Sequence, residues 1–376
     1  MIVSVEVTVR DLRLLDVQMK GLVPVQGTQE SVFVRVTSDS GAVGHGEASS
    51  WAVFSEQSAT AMAAMISGLL GPAVVGLDEY HRTGVQEAME AAVPGNQVAK
   101  AAVDMAVHDL VARDVGLPVC GLLGGRPFRV ALSYSVSAPV PEDVRRVVEK
   151  RYDAGYRTFK LKVGALDPET DAARIGAMRA AAADAVIRLD YNCRATEGHL
   201  RRIMGPAEAA GVEFCEQPFA AHQLDRTERL RSWFALPIGF DEAVTTVESL
   251  DTVLRRGLCD VVSLKFGRVG GTRNLIDMAR TAERYGVGVY CGSLNESRLG
   301  VAAAMHAFSA VGGLVGGSDF YFPYEILDDG DIIGGPVRDG ADIVIGDGAG
   351  HGAAPPDHWF DTSRPDRRVD MVRRGR

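Results

Sequence analysis

A chain of 376 residues with 46% apolar and 24% charged residues has the make-up of a globular protein, with room for two or three domains or one large barrel with additions. The net charge of -9 argues against a nucleic-acid partner, and no uncharged apolar run is long enough for a membrane helix. Five cysteines, an odd number without paired spacing, fit a reducing cytoplasm and carry no zinc signature.

Residues 1–7 alternate in the manner of a strand rather than a secretory leader. Residues 31–36 alternate again, a turn follows at Asp39-Ser40-Gly41, and 43–47 resumes the strand pattern. Residues 59–70 and 97–115 carry the apolar period of amphipathic helices. The breaker Leu122-Leu123-Gly124-Gly125-Arg126 closes this stretch, which reads as an N-terminal α+β domain over residues 1–126. From residue 130 onward, short β-like runs alternate with helical segments: 130–136, 158–163, 186–190, 212–216, 238–241, 261–265, 287–291 and 314–319. Eight such units predict an α/β fold, a (β/α)8 or TIM barrel over residues 127–320. A dinucleotide-binding sheet is disfavoured, because no Gly-rich strand–helix turn opens the series. Beyond Asp319 lie Phe320-Tyr321-Phe322-Pro323-Tyr324, further short strands, and the run Gly346-Asp347-Gly348-Ala349-Gly350-His351-Gly352. That glycine cluster has neither strand–helix context nor a following lysine, so it reads as a tight loop rather than a phosphate cradle. The charged residues 363–376 read as a loosely held tail.

Only six lysines occur among the 40 basic residues, and three of them stand at or near predicted strand ends. In Thr158-Phe159-Lys160-Leu161-Lys162-Val163-Gly164 the two lysines are two residues apart, so in a strand they share a face. Mutual repulsion between two such ammonium groups is expected to lower a lysine pKa toward that of a useful base. Polar strand ends recur regularly: Lys162 to Asp190 is 28 residues, then 26 to Glu216, 25 to Asp241 and 24 to Lys265. Charged residues at the C-terminal ends of barrel strands surround the face that carries catalysis. Three carboxylates on successive strands repel one another unless a cation compensates, and all-oxygen ligation selects a hard divalent ion, Mg2+ or Mn2+. One such acid could merely cap a helix; three in a row between strand-end lysines point to chemistry. Lys162 and Lys265 then flank the acids from opposite sides. That layout suits removal of a proton next to a substrate carboxylate.

Together Lys160-Leu161-Lys162, Asp190-Tyr191-Asn192, Glu216-Gln217-Pro218, Asp241-Glu242 and Lys265 followed by Gly270-Gly271 resemble the enolase superfamily, in its muconate lactonizing (muconate cycloisomerase) subgroup. The resemblance covers nearly the whole chain. It implies a capping domain, a modified (β/α)7β barrel and a C-terminal segment, 321–376, that returns to the cap. It further implies Asp190, Glu216 and Asp241 as Mg2+ ligands, Lys162 as one acid/base, Lys160 as its tuner, and Lys265 as second acid/base or electrostatic stabiliser. A small carboxylate substrate and a homo-oligomer, often an octamer, follow from the same likeness. A mandelate-racemase-type site would use a His–Asp base, but His306 falls within a helical run and is expected to be packed there.

Several positions bear on the substrate. Phe240 replaces a common alanine and should face away from the mouth, Cys193 stands where Gln or Gly is common, and Asp319-Phe320-Tyr321 lacks the second acid of dipeptide epimerases. Asn192, Glu296 and Asp319 are candidate substrate contacts, with Glu296 equally able to order its own loop. In this subgroup specificity is attributed to two cap loops, here 19–28 and 49–56, mostly apolar, in which Trp51 and Phe54 either meet substrate or pack the cap. The expected activity is cycloisomerisation through an enolate. Racemisation of N-acyl amino acids or proline derivatives, or dehydration, share its first step. A Schiff-base aldolase or a barrel without catalysis remain different classes, the first weakened by the three acids and the second by the intact motif positions.

Overall fold

The computed structural model describes residues 1–15, 27–51, 57–361 and 369–373. The cap is built on an antiparallel sheet of β1 (Ile2–Leu14), β2 (Thr28–Ser38) and β3 (Val43–Ser49). The other edge of β1 pairs with Leu327–Asp328 and with Val369–Arg373, so the chain's last segment closes the sheet that its first segment opened. Residues 369–373 are therefore a strand, not part of a loose tail. Residues 362–368 and 374–376 lie outside the described residues.

Helix Gln97–Asp114 corrects a second expectation. It is buried on all sides rather than along one stripe, because β3 covers one flank and barrel elements the other. The close approach depends on glycine: a Cβ at Gly44 or Gly46 would stand 2.0 Å from a carbonyl oxygen of that helix. Helix Ala59–Met65, continued by a wider turn over Ile66–Leu70, does show one buried face.

The predicted strand at 130–136 divides in two. Arg129–Ala131 (β4) pairs antiparallel with Asp342–Val344, and Ser133–Val136 (β5) begins the barrel. There follow β6 (Thr158–Lys162), β7 (Val186–Asp190), β8 (Val212–Glu216), β9 (Ile238–Phe240), β10 (Val261–Leu264), β11 (Gly288–Cys291) and β12 (Leu314–Ser318). Every neighbouring pair from β5 to β12 is parallel. Ser133 Oγ donates to the Ser318 carbonyl at 3.0 Å and Ser318 Oγ to that of Ala131 at 3.1 Å, which brings β12 beside β5. Seven crossover helices, from Pro141–Asp153 to Arg298–Phe308, join these eight strands. After β12 comes only the single turn Phe322–Glu325, so the barrel is (β/α)7β rather than (β/α)8. All eight parallel strands remain; the missing element is the last helix.

The glycine run at 346–352 is a loop that docks on the buried helix, where Asp109 accepts from the His351 backbone N–H at 2.7 Å. His306 is packed, as its helical setting requires: its Nδ1 accepts from the Cys120 backbone N–H at 3.1 Å. Phe240 lies in the core between strands and helices. Among the described residues no helix is long and apolar enough to cross a membrane.

Candidate active site

Parallel register lines up the chemistry. Lys162 pairs with Asp190 and Asp190 with Glu216, so three charged side chains form one row across β6, β7 and β8 at the barrel mouth. Glu216 is level with Gly239 of β9, and Asp241 follows just past that strand. A Cβ at Gly239 would stand 3.0 Å from the Phe214 ring, a tight contact that the ring would have to yield to. Gln217 ties the acids together: its Oε1 accepts from the backbone N–H groups of Asp241 at 2.8 Å and Ala243 at 3.1 Å. It occupies a left-handed conformation, φ 38°, as do Asn192 and Cys193 at the end of β7.

Each expected residue meets a partner here. Lys162 Nζ lies 2.5 Å from Asp190 Oδ2 and donates to Asn192 Oδ1 at 3.0 Å. Asn192 in turn donates to Glu242 at 2.9 Å. Lys160 Nζ lies 2.7 Å from Glu216 Oε2 and 2.6 Å from Asp319 Oδ2. Lys265 Nζ lies 2.8 Å from Asp241 Oδ2, whose other oxygen accepts from Arg268 at 2.5 Å. As the side chains stand, no three metal-ligating groups among the described residues converge on one point; each acid is turned onto a cation.

The electrostatics run against the expected lowering of the Lys162 pKa. Burial, the largest influence, and Lys160 push Lys162 down, but the charge and hydrogen bond of Asp190 together with Glu216 leave its pKa raised. Lys160 is likewise raised despite burial, held by Asp319 and Glu216. Glu216 is pushed up to about 8 by burial and by repulsion from Asp190, Asp241 and Asp319, against the pull of Lys160. Against burial, Arg268 and Lys265 hold Asp241 well below the usual carboxylate range.

Glu216 tests whether a cation suits the site. Both its oxygens are buried with no donor in hydrogen-bond geometry, although Lys160 is near, and one oxygen of Glu242 shares that condition. A buried carboxylate without donors among like charges is costly, and a hard divalent ion bound by oxygen ligands relieves that cost. The donor set therefore fits such an ion.

The candidate substrate contacts have partners of their own. Asp319 accepts from the Tyr290 hydroxyl at 2.7 Å and from Ser133 Oγ at 3.0 Å in addition to holding Lys160. Glu296 Oε2 accepts from Ser293 Oγ at 2.5 Å and the Leu294 N–H at 2.9 Å, thereby ordering its own loop. Trp51 is buried edge-on against Phe322, with ring centroids 5.6 Å apart. Phe54 and most of the two cap loops lie outside the described residues.

Arg268, Gln217 and Tyr290 were not singled out by sequence. Arg268 sits three residues after Lys265 on the turn Phe266–Val269, which Gly270 ends at φ 89°, and that spacing is the signal that could have exposed it. Tyr290 faces inward on β11, where its ring lies 4.8 Å from Lys160 Nζ and 4.5 Å from the fully buried Arg188 guanidinium. The barrel core below the mouth is thus partly polar.

An eight-stranded parallel barrel with acids and lysines at its strand ends, covered by an α+β cap, defines an enolase-like enzyme fold. Residues 5–124 match the mandelate racemase/muconate lactonizing enzyme N-terminal domain, and residues 143–359 match the enolase C-terminal domain-like family. The chain belongs to the mandelate racemase/muconate lactonizing enzyme family of the enolase superfamily. It is 31% identical over 345 residues to muconate cycloisomerase 1 of Rhodococcus opacus, covering 90% of this chain and 91% of that protein. It is 34% identical over 282 residues to L-Ala-D/L-Glu epimerase of Bacillus subtilis (strain 168), covering 74% and 77%. Its structure superposes on muconate lactonizing enzyme from Pseudomonas putida with a TM-score of 0.88 at 25% identity, covering 95% of this chain and 98% of that one.

Proposed function

We propose that this protein is a divalent-metal-dependent isomerase or lyase of the muconate cycloisomerase type, which removes the proton α to the carboxylate of a small substrate and passes through an enolate. The disposition of Lys162 and Lys265 carries this reading. Lys162 ends β6 and Lys265 follows β10, four strands apart in an eight-stranded barrel, so they flank the acids from opposite sides. The likeness to both a cycloisomerase and an epimerase supports a shared first step.

Asp190, Glu216 and Asp241 would hold Mg2+, with Mn2+ as the alternative. When bound, the ion supplies positive charge where the substrate carboxylate becomes more negative. Lys162 in its neutral form takes the α-proton while the electron pair moves into the carboxylate. Lys160, fixed by Asp319 and Tyr290, keeps a positive charge beside it. From the other face Lys265 returns a proton or steadies the charge, held in place by Asp241. Arg268 spares Lys265 from being the sole counter-charge to that acid.

Epimerisation is the second reading, favoured by the Bacillus subtilis relative. Against a dipeptide substrate stands Tyr321, two residues after Asp319, buried and packed 5.3 Å from Tyr134 where a second acid would otherwise reach the substrate. Solvent deuterium exchange into muconolactone, N-succinyl amino acids, proline derivatives and dipeptides, with Mg2+ and with EDTA, tests both readings. Metal-dependent exchange in one class, lost in Lys162→Ala, is expected. Exchange that persists in Lys162→Ala overturns the base, and exchange that survives EDTA overturns the metal.

A further inference from the structure

The cap strand β3 sends one face into the barrel. Glu47 accepts from the backbone N–H groups of Ser297 at 3.0 Å and Gly300 at 3.1 Å and from Ser297 Oγ at 2.5 Å. Two residues on, Ser49 Oγ donates to the Leu294 carbonyl at 2.8 Å, and Gln29 from β2 donates to that of Asn295 at 2.8 Å and to Ser49 Oγ at 2.9 Å. Two residues further is Trp51, which leads into the cap segment 52–56. These contacts land on the loop that follows β11 and on the first turn of helix Arg298–Phe308: Glu47 satisfies backbone donors at the helix start, while Ser49 and Gln29 donate to loop carbonyls.

The other end of this loop touches the chemistry. Gly292 lies so close to Lys265 that a Cβ there would stand 2.8 Å from Lys265 Cγ and 2.5 Å from Ser263 Oγ. At the near end, a Cβ at Gly300 would stand 2.5 Å from Glu296 Cβ and 3.1 Å from Glu47 Oε2. Glycine at these positions, one at the start of the loop and one in the first turn of the helix, lets the loop pack tightly between the Lys265 side chain and the Glu47 carboxylate. Helix capping alone would need one acceptor. Here three cap side chains hold residues 294, 295 and 297 of one loop.

We propose that Glu47 is a positioning residue which, with Ser49 and Gln29, locks the loop 292–297 to the seated cap and thereby sets the position of Lys265. Strand β3, which ends two residues before Trp51, then couples the seating of the cap to one of the two acid/base groups. The inference rests on the role proposed above for Lys265. A misplacement of a reacting group by about 1 Å costs on the order of 100-fold in rate, which sets the scale expected when the clamp is cut.

Glu47→Ala and Ser297→Ala, singly and together in the full chain, test the clamp by two readouts. Hydrogen exchange should show protection of amides 294–300 reduced roughly 10-fold or more in Glu47→Ala, with the barrel helices far from the loop unchanged. Steady-state kinetics should show kcat reduced about 10- to 100-fold with a smaller change in KM, and the two substitutions should be far from additive. Unchanged loop protection with unchanged kcat overturns the proposal. So does a loss of thermal stability alone, with normal kcat per folded molecule. If Glu47→Ala does not fold, Ser297→Ala and Ser49→Ala, which leave the carboxylate in place, decide by the same two readouts. If the native enzyme turns over no carboxylate, the functional reading fails while loop protection still decides the clamp.

Discussion

Two sets of buried carboxylates stand in this protein, and they are satisfied in different ways. Where cap meets barrel, Asp109 accepts from the His45 N–H at 2.9 Å, the His351 N–H at 2.7 Å and Arg113 Nε at 2.8 Å. Asp104 accepts from the Thr272 N–H at 2.8 Å, and Glu47 takes three donors from the barrel loop. These acids are met mainly by backbone donors, which cannot leave. At the mouth, Asp190, Glu216 and Asp241 are met mainly by ammonium and guanidinium groups, Asp190 taking one backbone N–H from Asn192 at 2.9 Å, and Glu216 has no properly aligned donor. A carboxylate saturated by backbone holds a fold together. One left to side-chain cations is available to a ligand.

The sharpest way to break this contrast is Glu216→Gln. It should lower metal-dependent α-proton exchange by more than about 1000-fold, yet leave the urea midpoint of the metal-free protein unchanged or higher, since burial and the neighbouring acids already disfavour the charged form of that side chain. A large drop in stability would place Glu216 with the structural acids. Asp109→Ala should do the reverse, costing about 3–5 kcal/mol in urea denaturation while the activity of the folded fraction persists.

The interface also carries a pH signature. Burial, with the neighbouring His351, lowers His306 to about 3. The unfolded chain binds a proton near the ordinary histidine value of about 6.5 and the folded chain does not, so stability is lost as pH falls below that value. The slope from this residue approaches at most about 1.4 kcal/mol per pH unit, and His306→Gln should flatten it in denaturation curves collected between pH 7.5 and 5. An unchanged slope would assign the acid sensitivity elsewhere. The smallest effect is expected from Tyr290→Phe, which removes a hydroxyl shared with Asp319 and Ser133. It should cost about 1 kcal/mol and slow exchange less than about 10-fold, through looser placement of Lys160.

The reach of the sequence differs between these two regions. The mouth was legible because strand-end positions repeat at nearly constant spacing, and a parallel register turns such spacing into a ring: Lys162, Asp190 and Glu216 fall level. The interface was not legible. Glu47 and Ser297 are 250 residues apart, and nothing local marks them as partners. Helix Gln97–Asp114 misled for a related reason. Lys100, Asp104, His108 and Asp109 resemble a wet face, yet all are buried, and distant elements supply partners to Asp104 and Asp109.

Sequence alone determined the strand–helix alternation, the eight parallel strands, and the acids and lysines that end them, because periodicity and side-chain chemistry are local properties. Tertiary structure decided what those groups feel. The pKa of Lys162 rises rather than falls because, against burial and Lys160, Asp190 and Glu216 stand close to it, a balance set by distances that only the closed barrel creates. It also decided that Asp319 holds a lysine, that Glu296 orders its loop, and that the cap grips the barrel through Glu47. Each of those roles depends on which donor arrives from elsewhere in the chain, and that is a property of packing rather than of order along the chain.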